Sequence, residues 1–170
     1  VVKSFVAELP FKLTGAQRIA AWDILQDFEK RIPMNRLLQG DVGSGKTVVA
    51  GLAARLAAHE GFQTAVMAPT EILASQHAET LQRLLSPFGV TVGLLTGSVK
   101  GVARKSLYNA IENGDVHVVV GTHALIQDTV NFHRLGFVVI DEQHRFGVKQ
   151  RQQLLAKSEH MPHLLAMTAT

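Results

Sequence analysis

The run Gly40-Asp41-Val42-Gly43-Ser44-Gly45-Lys46-Thr47 constrains this chain more than any other segment. Its glycines let the backbone curl until successive N–H groups face inward, an arrangement suited to phosphate oxygens. An apolar stretch, Arg36–Gln39, precedes it, and a run of helical spacing, Val48–His59, follows. Strand, tight turn and helix in that order aim the positive end of the helix at the same anion. Lys46 then reaches the outer phosphates of a triphosphate such as ATP, and the Thr47 hydroxyl becomes a ligand for Mg²⁺. A second box, Asp141-Glu142-Gln143-His144, ends the buried-strand run Phe137–Ile140. Asp141 is placed to hold the metal through water, and Glu142 to activate the attacking water. The bland alternative is two unrelated surface loops. It does not account for the strand that precedes each box.

The rest of the chain repeats this alternation. Strand-like runs occur at Arg36–Gln39, Thr64–Ala68, Val90–Leu95, Val116–Val120, Phe137–Ile140 and His163–Met167. Helical spacing of Leu, Ala and Ile marks Val48–His59, Glu71–Leu85, Ala103–Glu112 and Gln150–Lys157. Thr14 is placed to cap an earlier helix running to about Lys30, and Pro33 ends that region. Near-continuous apolar strands separated by helices indicate an α/β fold, a parallel sheet covered on both faces. Ligands of such sheets bind at the carboxyl ends of the strands, where both boxes fall.

At 170 residues the chain fits one domain, residues 1–170, in which 1–12 form a lead-in segment. Hydrophobic residues make up 46% and charged residues 18%, which excludes a disordered tail. The absence of cysteine excludes a disulfide scaffold and thiolate metal sites. No apolar run is long enough to span a bilayer, so no membrane partner is expected. A net charge of +3 is compatible with nucleic acid but does not indicate it, because no dense Lys/Arg tract appears. The chain starts without Met and ends directly after a strand-like run, and so reads as one piece of a longer protein.

On these residues the chain resembles the first RecA-like domain of a superfamily-two helicase, most closely the RecG branch of DNA translocases. The resemblance covers about Pro10 to Thr170. It is carried by Leu37-Leu38-Gln39 with the P-loop and by Asp141-Glu142-Gln143-His144-Arg145-Phe146-Gly147-Val148. Pro69-Thr70-Glu71-Ile72-Leu73-Ala74, Gly121-Thr122-His123-Ala124-Leu125-Ile126 and Thr168-Ala169-Thr170 occupy the intermediate motif positions. The transcription-repair coupling factor has a similar layout with Glu at the third place of the acidic box; Gln143 favours RecG.

The resemblance implies further roles. Gln17 matches the glutamine that reads adenine, with Phe11 over the base; the competing reading leaves Gln17 facing solvent on its helix. Thr168, Ala169 and Thr170 match the motif that couples hydrolysis to DNA movement, with Gln143 and His144 as the box's half of that relay; His144 as a packing histidine is the alternative. Pro69, Thr70, Thr96, Gly97, Thr122 and His123 sit at turns expected to hold DNA phosphates without reading sequence. Glu71 is unfavourable beside an anion and is expected to point away. Lys100, Arg104 and Lys105 are read either as part of that track or as a solvated helix face. Arg145 to Arg151 is expected near a partner domain and the duplex, or else as an exposed basic loop. His59, His77, His117, His133, His160 and His163 lack metal-ligand spacing and are read as structural.

For the whole protein the resemblance implies ATP-driven remodelling of branched duplex DNA such as stalled forks, in repair and recombination. It implies two further parts of the same parent chain: a second RecA-like domain carrying arginine fingers, and an amino-terminal wedge domain. It also implies a cytoplasmic bacterial protein associated with the nucleoid. The chain by itself is then expected to be nearly inactive as an ATPase. Two rival classes stand beside this reading. A small-molecule phosphotransferase needs an acceptor pocket and a lid that the sequence does not offer. A nucleotide sensor without turnover leaves Glu142 without a task.

Overall fold

The computed structural model describes residues 7, 12–30, 32–40 and 45–169. Helix α1 (Gly15–Glu29) is followed by strand β1 (Asn35–Gln39), α2 (Lys46–His59), β2 (Gln63–Met67), α3 (Glu71–Leu85) and β3 (Val92–Leu95). Then come α4 (Gly101–Asn113), β4 (Val118–Gly121), β5 (Leu135–Asp141), α5 (Val148–Leu155) and β6 (His163–Thr168). The strands form one sheet in the order β1-β6-β5-β2-β4-β3, with every pairing parallel. The parallel α/β architecture expected from the sequence is therefore present.

Side chains alternate across a strand, and here the alternation sorts the core into two layers. Val118, Val120, Phe137, Val139, Leu165 and Met167 face one side, against α1, α2 and α3. Ala65, Met67, Val119, Val138 and Ile140 face the other, against Ile111 of α4 and Leu154 of α5. β2 and β4 are buried along their whole length, as strands covered on both faces must be.

The helices start where their capping chemistry puts them. The Thr14 hydroxyl accepts from Gln17 N–H (3.1 Å), and Gln17 Oε1 accepts from Thr14 N–H (2.9 Å), a closed capping box. Thr70 caps α3 by accepting from Leu73 N–H at 3.2 Å. α2 has no side-chain cap: Gly45 precedes it, with φ +82°.

Two strands begin later than the sequence suggests. Val90 and Val116 are buried and apolar, but their N–H groups donate back to Leu85 and Ala110 carbonyls, which close helix ends. Burial without ladder pairing makes them look like strand residues in sequence alone. The expected helix Gln150–Lys157 instead runs from Val148 to Leu155. Beyond its end, the Lys157 ammonium donates to the carbonyls of Gln127 and Val130, each at 2.7 Å. Burial lowers the Lys157 pKa below its ordinary range.

Edge strand β1 is anchored to the helix before it and to the strand beside it. Asp27 on α1 accepts from the Arg36 guanidinium and from Lys30 Nζ. His163, first in β6, stacks on Phe28 with ring centroids 4.6 Å apart. Its Nδ1 accepts from Met34 N–H at 2.8 Å, so the bond requires an unprotonated nitrogen.

Burial pushes the His163 pKa below its ordinary 6.5. The unfolded chain therefore binds a proton that the folded chain resists. Stability is unaffected well above 6.5 and falls as the pH drops from there toward the folded-state value. Thermal melts at about pH 7.5 and about pH 5.5 bracket this window. The loss of melting temperature on acidification is expected to be larger in the wild type than in His163→Asn; equal losses would place the sensitivity elsewhere.

Candidate active site

Adjacent strand ends build the site. β6 lies between β1 and β5, with Gln39 opposite Thr168 and Asp141 opposite Met167. Two successive carbonyls of β6 hold the two boxes. Thr168 O accepts from Gly40 N–H at 3.2 Å, and Met167 O accepts from Glu142 N–H at 2.9 Å. The start of the P-loop and the acidic box are thereby fixed two strands apart, roughly 10 Å. Asp41, Val42, Gly43 and Ser44, which complete the loop, lie outside the described residues, as do Phe11 and Thr170.

The described end of the loop fits close backbone approach. A Cβ built on Gly45 would fall 2.0 Å from Gln17 Nε2, and its φ of +82° is one that L side chains rarely adopt. Gln17 consequently does not face open solvent. Its oxygen caps α1, and its amide nitrogen lies against the P-loop backbone. Lys46 Nζ donates to Gly40 O at 2.7 Å, which brings the ammonium across the loop.

Thr47 and Asp141 meet through a residue that the sequence reading set aside. His77 Nε2 lies 2.6 Å from Asp141 Oδ2, and His77 Nδ1 lies 3.3 Å from Thr47 Oγ1. The imidazole and the carboxylate are both largely buried. His77 was grouped with the structural histidines; it belongs to this site. α3 buries Ala74, Ala78 and Leu81, and His77 falls on the same inward stripe, but spacing gave no sign of the Asp141 that lies beside it.

Glu142 directly follows the buried Asp141. Its φ of 52° and ψ of 54° are left-handed, and among the described residues no other non-glycine has positive φ. Backbone strain of this kind collects where a side chain must be aimed against local preference. The turn is closed by Arg145 N–H donating to Glu142 O at 2.8 Å. His144, 64% exposed, brings Nε2 to 3.5 Å from Glu142 Oε2, and Gln143 opens the same short 3-10 turn. Thr168 Oγ1 donates to Ala169 O at 3.3 Å, so this hydroxyl is directed to its own chain and not to the box.

The turns read as a DNA track occupy the other half of the same edge, after β2, β3 and β4. Thr70, Gly97 and His123 are exposed there, and Pro69 is half-buried. Thr96 and Thr122 are each only 3% exposed and hold their turns from within; the Thr122 hydroxyl accepts from Ala124 N–H. Glu71 does not point away as expected: Ser98 Oγ donates to its Oε2 at 2.8 Å, and its carboxylate lies against Gly97, which ties two of the turns together. Arg104 is half-buried and fully engaged. Its guanidinium donates to the carbonyls of Thr96 and Val99, to Tyr108 Oη and to Gln127 Oε1. A groove of about 960 Å³ opens at the opposite edge, lined by Phe28, Phe62, Gly136 and Pro162. It is remote from both boxes.

A family model described as DEAD/DEAH box helicase matches residues 14–170. The chain belongs to the DEAD/DEAH box helicase family. Among curated members, the ATP-dependent DNA helicase RecG of Aquifex aeolicus is 54% identical over 170 residues, 99% of this chain and 22% of the relative. RecG of Haemophilus influenzae is 56% identical over 169 residues, 98% of this chain and 24% of the relative. The chain thus spans less than a quarter of these helicases. A solved structure of RecG bound to a three-way DNA junction superposes with a TM-score of 0.83 at 47% identity, covering 98% of this chain and 22% of that one. The UvsW helicase of bacteriophage T4 shares the fold, with a TM-score of 0.74 at 18% identity over 98% of this chain and 58% of that one.

The left-handed residue of this helicase-family domain gives a direct test. Glu142→Gly and Glu142→Ala both remove the carboxylate, but only glycine is at ease at φ 52°. The left-handed penalty of about 1–2 kcal/mol, less glycine's unfolded-state entropy of about 0.4–1 kcal/mol, leaves the Gly variant roughly 0.5–1 kcal/mol more stable. Urea titration of the two variants measures this; a more stable Ala variant would show that the backbone there is not strained.

Proposed function

We propose that this chain is the nucleotide-binding half of an ATP-driven translocase that acts on branched DNA. One observation carries the reading: consecutive β6 carbonyls hold the P-loop and the acidic box, and Thr47 and Asp141 meet on one imidazole between them. The donor set fits a magnesium nucleotide. A hydroxyl and a carboxylate are hard oxygen ligands, suited to Mg²⁺. Thr47 and Asp141, the latter through water, would hold Mg²⁺, which supplies charge neutralisation on the outer phosphates. Lys46 adds the second positive charge. Glu142 takes a proton from the attacking water as it adds to the γ-phosphorus and ADP leaves. Gln17, beside the P-loop, would read the base.

The backbone turns at Pro69–Thr70, Gly97 and His123 form half of the DNA track and read phosphates, not bases. The relatives' names and the RecG structure with a three-way junction support DNA, and branched DNA in particular, as the partner. A second RecA-like domain supplies arginine fingers, and a wedge domain engages the branch. The protein acts in the bacterial cytoplasm on the nucleoid.

Two substitutions in the full-length protein separate binding from chemistry. Lys46→Ala is expected to weaken Mg·ATP binding with the fold retained. Glu142→Gln is expected to keep binding and to lower DNA-stimulated phosphate release by about 10²–10⁴-fold, the usual range for losing a general base. Equal nucleotide affinity in the first, or near-normal turnover in the second, would remove the corresponding residue from the mechanism.

A further inference from the structure

We infer that His77 is a positioning residue that orients, through a single imidazole, the two oxygen groups that hold the metal: Thr47 directly and Asp141 through water. The inference rests on the nucleotide-site reading above and adds a residue from a helix outside both boxes.

With a neutral imidazole the hydrogen-bond chemistry permits one arrangement. A carboxylate only accepts, so His77 Nε2 is the donor to Asp141 Oδ2 at 2.6 Å. Nδ1 is then the acceptor, and the Thr47 hydroxyl donates to it at 3.3 Å. Each ligand is thereby used on one side only. The Thr47 oxygen keeps its lone pairs, and Asp141 keeps Oδ1. Outer partners of this kind fix ligand orientation at metal centres and are commonly histidine–carboxylate pairs. Enclosure strengthens both bonds, since the His77 and Asp141 side chains are only 14% and 10% exposed.

The placement of His77 in the fold gives the arrangement a second consequence. Thr47 follows β1 and Asp141 ends β5, both on the nucleotide half of the sheet edge. His77 lies on α3, which follows β2 and whose cap is Thr70, at a turn assigned to DNA phosphates. Ala74, Ala78 and Leu81 bury the same helix in the core, so a displacement at Thr70 moves with His77. α3 is a rigid element that touches both halves of the edge.

A histidine that merely packs on α3 would leave metal affinity unchanged once folding is accounted for. The test is therefore the magnesium dependence of nucleotide binding by the full-length protein, read with fluorescent ADP in Mg²⁺ and in EDTA. His77→Ala is expected to weaken binding in Mg²⁺ by about 10–100-fold, the usual cost of losing an outer partner, with affinity in EDTA unchanged. His77→Gln places a donor and an acceptor on one planar group and is expected to recover most of the loss. If the alanine variant does not fold, His77→Leu fills the space without either function and replaces it. Equal loss with and without Mg²⁺, no loss, or a Gln variant as weak as Ala would overturn the inference while leaving the nucleotide site intact. Wild-type protein that binds ADP equally in Mg²⁺ and EDTA would overturn both.

Discussion

Two backbone hydrogen bonds from the end of β6 hold the candidate site together: Met167 O to Glu142 N–H and Thr168 O to Gly40 N–H. Neither involves a side chain that a motif would highlight. They follow from parallel pairing of β6 with β5 on one side and β1 on the other, in a register that ends all three strands together. A register slip on either side would turn every side chain of one strand to the wrong layer, and the split between the two cores forbids it. The core packing that stabilises the domain therefore also sets the separation between phosphate loop and acidic box.

Much of this was legible in the sequence. The bounds of α3 are those expected, and Thr14 and Thr70 cap their helices as Ser/Thr residues before an apolar-periodic run should. The P-loop and Asp141 lie at strand ends because the apolar runs before them are strands. The strand starts at Val90 and Val116 misled because burial, which composition reports, is not pairing. Three features could not be read from spacing. His77 looked like any lone histidine until the fold put Asp141 beside it. Arg104, read either as a track cation or as part of a solvated helix face, is consumed by two carbonyls, a phenol and an amide. Glu142 carries no sequence mark of left-handed backbone; its conformation is imposed by the bonds on either side of it.

The sheet edge divides into two functional halves. In the proposed function β1, β6 and β5 carry the nucleotide chemistry, whereas β2, β4 and β3 carry the exposed turns. Within the second half, Glu71 and Ser98 join the β2 turn to the β3 turn, and Arg104 clamps the latter from α4. The Ser98 hydroxyl holds the Glu71 carboxylate in one position, and its negative charge stays at these turns. Tied in this way, the turns form a rigid surface, which suits contacts that position DNA without reading its sequence.

The central claim is that nucleotide and metal bind at the carboxyl edge between β1 and β5, not in the groove at the opposite edge. Paramagnetic broadening of amide resonances by Mn²⁺·ADP in the isotope-labelled chain measures this most directly. The expected result is broadening centred on Gly45 to Val48, Asp141, Glu142 and His77, with Phe62, Gly136 and Met161, which line the opposite groove, unaffected. Broadening centred on those last three residues would contradict the site and the function built on it.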